Sequence, residues 1–120
     1  MVSSIIDEIN KKISSFSFFE FSIKSYQNGV LILVGSEDFS YYYNIEIHFH
    51  DVFTMISNLD WRVNTQGKAI DILDGPEAFE LNKKYRVEAG NTIFVLFDED
   101  LIQYYVIAKS INATYKVTPY

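Results

Sequence analysis

The chain has 120 residues, 48% of them hydrophobic and 17% aromatic, with 10 Phe and 9 Tyr. That length and composition fit one globular domain over residues 1–120 with a sizeable core, and they exclude disorder. A formal charge of −6, from 10 basic and 16 acidic side chains, repels phosphate backbones, which argues against nucleic acid as a partner. The absence of Cys removes both a disulfide framework and a thiol nucleophile.

The first segment, SSIIDEINKKISSF, has helical periodicity. Ile5, Ile6, Ile9 and Ile13 share one face, and Asp7, Glu8, Lys11 and Lys12 lie opposite. A single N-terminal helix within residues 3–15 is expected, started by Ser4 with Asp7 in a capping-type arrangement and ended at Ser14-Ser15. The acids and lysines here interrupt any apolar run that a signal peptide would need, and no run approaches a membrane span. The expectation is a soluble, cytoplasmic protein without membrane contact.

From Ser17 the period changes to two. Phe19, Phe21 and Ile23 alternate with Phe18, Glu20, Ser22 and Lys24, as in a half-buried strand. Phe16 or Phe18 must then be covered by something else, for which the helix is available. After the Gln27-Asn28-Gly29 turn, the run 30–34 is apolar on both faces and reads as a central strand. Residues 41–49 form the next strand, with Tyr41, Tyr43, Ile45, Ile47 and Phe49 on a core face. Tyr42, Asn44, Glu46, His48 and His50 then lie on a wet one. Shorter strands follow at 61–63 and 69–73, and Asp74-Gly75-Pro76 is a firm break.

In the second half, strand-like FEL and YRV precede a turn at Ala89-Gly90-Asn91, and TIFVLF (92–97) follows as a strand. Asp98-Glu99-Asp100 reads as a solvated turn before the strand IQYYVIA. In the tail, Ile111, Ala113, Tyr115 and Val117 alternate with polar residues. Lys109 falls on the apolar parity, so a bulge or bend is expected near 109–110. The whole predicts an α+β fold: one N-terminal helix packed on roughly eight mostly antiparallel strands, as a curved sheet or a two-layer sandwich.

His48 and His50 point to the same side of their strand, as a two-His ligand pair requires. They are the only histidines, no Glu follows closely as in a cupin, and a third ligand would have to be a distant carboxylate. Solvent-facing histidines are therefore preferred to a metal site, and no cofactor is expected. No GxSxG elbow, P-loop or GxGxxG is present. Tyr42 and one of Tyr104 and Tyr105 are candidate exposed anchors, because Tyr is enriched in protein interfaces. Trp61 reads as core.

In size, in charge and in the course of YYYNIEIHFHDVFTMISNLDW into short later strands, the chain resembles the small acidic immunity proteins encoded beside bacterial polymorphic toxins. The resemblance implies a cytoplasmic, non-enzymatic module that captures a protein such as a basic toxin domain. Tyr42, Glu46, His48 and His50 are the candidate contact strip. Two other readings stay open: a curved sheet enclosing an aromatic-lined pocket for a small molecule, as carrier or enzyme, and a metal-dependent enzyme built on His48 and His50.

Overall fold

The structure, a computed structural model, describes residues 2–119. Helix α1 (Val2–Ile13) is followed by strands β1 (Phe19–Gln27), β2 (Val30–Ser36), β3 (Tyr42–Tyr43), β4 (Ile45–Ile56), β5 (Asp60–Val63) and β6 (Ile70–Leu73). Helix α2 (Gly75–Tyr85) comes next, and then β7 (Thr92–Phe97), β8 (Gln103–Thr114) and β9 (Thr118–Pro119). Seven strands make one antiparallel sheet in the order β5-β1-β2-β4-β8-β7-β6, and β3 pairs separately with β9. The fold is α+β. Among the described residues no helix is long and apolar enough to cross a membrane.

The sheet curls, so its edges approach each other. Glu99, just after β7, donates its N–H to Arg62 O of β5 (2.8 Å), and Trp61 of β5 meets the Tyr104 ring of β8 at 4.6 Å. Inside the curl lies the main core, with Phe19, Phe21, Phe49 and Phe94 fully buried. Helix α1 closes this inner face with Ile6, Ile9 and Ile13, the stripe that its periodicity predicts. The helix is fastened by Asn10, whose Oδ1 accepts the N–H groups of Ala69 (2.9 Å) and Ile70 (3.1 Å) and whose Nδ2 donates to Ile70 O (2.8 Å). Because the helix already begins at Val2, Ser4 lies inside it and not at the N-cap. Ser14 and Ser15 end the helix by bonding back to the carbonyls of Lys11 and Lys12. Phe16 stacks on Phe19 (5.1 Å) with Lys12 of the helix over its ring, while Phe18 stays 41% exposed beneath Arg62.

One helix was expected, and two are present among the described residues. The segment expected to carry strands around FEL and YRV is α2, with Pro76 in its first turn and Arg86 as a left-handed C-cap (φ 54°). Asp74-Gly75-Pro76 thus starts a helix as well as breaking a strand, for Pro suits a first turn whose N–H groups lack partners anyway. Glu77 in the first turn and Lys83 and Lys84 in the last complement the helix dipole. The weak point in the sequence is the apolar face, which offers only Ala78 and Leu81 to a small second core with Leu73, Ile93, Tyr105 and Ile107. That core lies on the outer face of the sheet, so β7 and the first half of β8 are buried from both sides.

The bend anticipated near residues 109–110 is present as a change of facing. Tyr104, Val106 and Ala108 of β8 point to the main core, and after Lys109 and Ser110 the core residues are Ile111 and Ala113. On the paired strand Asp51 has a left-handed backbone (φ 53°), and the register slips once, between Val52 and Thr54.

Candidate functional site

The first half of β4 has the expected alternation. Ile45, Ile47 and Phe49 are fully buried, while Glu46, His48 and His50 are half-buried on the outer face. Neighbouring strands continue that face: Val34 and Thr114 flank Glu46, Ile32 and Asn112 flank His48, and Ser110 lies beside His50.

The residues before Ile45 depart from the expectation. The strand anticipated over 41–49 is interrupted at Asn44, which is buried and not wet: its Oδ1 accepts the Glu37 N–H (3.0 Å), and its own N–H bonds to Gly35 O (2.8 Å). Tyr41 is 73% exposed rather than core. Tyr42 donates its hydroxyl to Glu37 (3.1 Å), so it stands at the end of the sheet and not in line with Glu46. That hydrogen bond, with some desolvation and the charges of Glu37 and Asp38, raises the Tyr42 phenol above its ordinary value.

Tyr43 is buried as expected, but on the outer side. Its hydroxyl donates to Glu46 Oε2 (2.9 Å) and accepts from Lys24 Nζ (3.0 Å), whose charge lies 3.8 Å from the same carboxylate. Glu46 Oε1 accepts the Nε2–H of His48 at 2.6 Å. A continuous chain therefore runs Lys24–Tyr43–Glu46–His48, drawn from β1, β3 and β4. The His48 bond, opposed by partial desolvation and helped by Tyr43 and Lys24, holds the Glu46 carboxyl below its ordinary value. His50 donates its Nε2–H to Asn112 Oδ1. Lys24, Tyr43 and Asn112 were not flagged by the sequence, because only the strand register brings them to the strip.

Asp98 also departs from the solvated turn expected of it. It is buried, and its Oδ1 accepts the N–H groups of Asp100 (2.8 Å) and Ile102 (2.9 Å) while Oδ2 accepts the Tyr104 hydroxyl (2.8 Å). Asn58 in turn donates to Tyr104 (3.0 Å). Desolvation pushes the Asp98 carboxyl up, but the donors from Ile102, Tyr104 and Asp100 outweigh it and hold the group below its ordinary value. This turn organises structure: it ties the β7–β8 loop to the β4–β5 connection. Trp61 and Tyr104 are core residues, as read for Trp61, and Tyr105 packs partly beneath α2.

Several surface grooves lie apart from the histidines. A groove of about 440 Å³ is lined by Glu8, Lys11, Lys12, Ser15 and Tyr115, and a smaller one of about 190 Å³ by Glu20, Ser22, Phe39 and Asp60. Among the described residues no group of three His, Cys, Asp or Glu side chains is placed to hold a metal ion. The arrangement on β4 can donate and accept hydrogen bonds from a preset geometry on an open surface. No protein-family model, curated protein or solved structure matches the chain.

Proposed function

We propose that the chain is a small, acidic, non-enzymatic protein-binding module, an immunity-type inhibitor that captures a basic toxin domain in the cytoplasm. The observation that carries this reading is the uneven covering of the outer sheet face. Helix α2 buries that face over β7 and the first half of β8, whereas over β4 the Glu46, His48 and His50 side chains stay half-exposed and already fixed by hydrogen bonds. Side chains held in one geometry before contact lose little entropy on docking. Tyr42, Glu37 and Asp38 extend the surface at the sheet end. The surplus of acid over base favours rapid, salt-dependent association with a basic partner. The inside of the curl is filled by α1 and buried phenylalanines, which makes an enclosed small-molecule pocket the weaker reading.

The test is titration with the basic domain of a toxin encoded beside the gene. A 1:1 complex is expected, with an on-rate that falls as salt rises. Tyr42→Ala and a Glu46→Ala/His48→Ala double variant should each weaken it tenfold or more, on the order of 1.4 kcal/mol. Glu8→Ala, on the far side of α1, should leave it unchanged. Absence of any complex, or affinity indifferent to the strip variants, would refute the assignment.

A further inference from the structure

We propose that His48 and His50 form an exchangeable two-imidazole site for a borderline divalent cation, with Cu²⁺ the best fit and solvent filling the remaining positions. The inference is independent of whether a protein docks on the same face. The two residues are consecutive on the outer parity of β4, and their ring centroids lie 6.0 Å apart with planes inclined by 42°. One ion about 2 Å from a nitrogen of each ring holds two imidazole centroids roughly 5–6 Å apart, so the observed separation lies within the reach of a single bridging ion.

The hydrogen bonds supply the second argument. In both rings Nε2–H is engaged, by the Glu46 carboxylate in one case and by Asn112 Oδ1 in the other. Glu46 is itself fixed, accepting the Tyr43 hydroxyl at 2.9 Å and lying 3.8 Å from Lys24 Nζ. Each ring is thereby set in the tautomer whose Nδ1 carries a free lone pair. Ligating histidines ordinarily donate their other N–H to a carboxylate or a carbonyl oxygen in this way, which fixes the ring and raises its basicity. Among the described residues no set of three His, Cys, Asp or Glu side chains forms here, so the site lacks what a resident structural or catalytic zinc needs. Two imidazoles on an open surface instead suit a labile ion, and among first-row divalent ions such donors bind Cu²⁺ most strongly.

The experiment uses the full chain without a histidine tag, titrated with CuCl₂ alone. Calorimetry gives stoichiometry and affinity, and paramagnetic broadening in ¹⁵N–¹H spectra gives the location. One equivalent is expected, with broadening centred on residues 46–50 and 110–112. His48→Ala and His50→Ala should each lower the affinity at least tenfold, and the double variant should lose little more, because chelation needs both rings. Glu46→Gln and Asn112→Ala should weaken binding roughly tenfold or more by freeing the rings. All four side chains are half-buried or exposed, and circular dichroism checks that each variant is folded. The proposal falls if the double variant binds like the parent, if broadening centres on other carboxylates, or if each single variant loses only half of the signal, as two independent imidazoles would.

Discussion

The outer face of the sheet has two halves with opposite fates, and β8 passes through both. In its first half Tyr105 and Ile107 point outward into the small core beneath α2. Beyond the change of facing at Lys109, Ser110, Asn112 and Thr114 point outward beside His50, His48 and Glu46. A single strand thus carries apolar residues where a helix covers it and polar residues where nothing does. Composition along the outward parity records the covering layer even where that layer was not itself foreseen.

Core truncations should separate the halves most strongly. Ile45→Ala and Ile47→Ala, facing the inner core, and Ile107→Ala beneath α2 should each cost about 2–5 kcal/mol in denaturant unfolding. His48→Ala on the uncovered half should cost under about 1 kcal/mol, in the range of surface substitutions. Equal losses at Ile107 and His48 would mean that the open half is covered too.

Asp98 gives the next largest effect. Asp98→Asn leaves two backbone N–H groups and the Tyr104 hydroxyl without a charged acceptor, at a cost of about 2–4 kcal/mol. Because the native carboxyl is held below its ordinary value, its contribution is fully present above the unfolded carboxylate range of about pH 4. It is lost as pH falls through the lower native value. The parent should therefore lose stability on acidification below about pH 4–5, and the variant should lose less. Glu46→Gln should blunt the same limb, since Glu46 is depressed in the same direction. An unchanged acid limb in both variants would place the acid-sensitive carboxylates elsewhere.

Gly35 tests the inner side of the open half. An added Cβ would lie 2.5 Å from the fully buried Phe19 ring, so Gly35→Ala should destabilise by about 1–3 kcal/mol through overpacking. A neutral result would show that the ring can move. The smallest effect has the opposite sign and falls on the covering helix. Arg86 is exposed and held at φ 54° at the end of α2, so Arg86→Gly should stabilise by about 0.5–1 kcal/mol, read as a higher thermal midpoint.

β1 and the core face of β4 were legible because their inward residues repeat every second position, whereas β2 and β7 were legible as short apolar runs next to turn residues. Lys109 on an apolar parity foretold the change of facing in β8. Helix α2 was hidden because its buried stripe reduces to Ala78 and Leu81, too little apolar period to outweigh FEL and YRV, although the Asp-Gly-Pro start and the terminal lysines carried the capping signal. Asn44 and Asp98 were misread for a shared reason. A polar side chain that satisfies its own neighbours can be buried, and nothing in local composition separates it from one that faces water. The site was half legible: parity placed Glu46, His48 and His50 together, but only strand register could add Lys24, Tyr43 and Asn112.

The three hydrogen bonds from Asn10 join residues 59 and 60 positions apart, and they occupy the outer rim of β6, the last strand of the sheet. The adjacent Ile72 N–H is taken by the Asp71 side chain (2.8 Å). That rim therefore offers few free donors to another chain while α1 is docked. Until the first helix finds a strand made sixty residues later, a newly synthesised molecule carries an open strand edge and an uncovered apolar floor at once, the combination that recruits other chains. Asn10→Ala should accordingly show itself less in the folded protein than in refolding yield, which should fall as protein concentration rises.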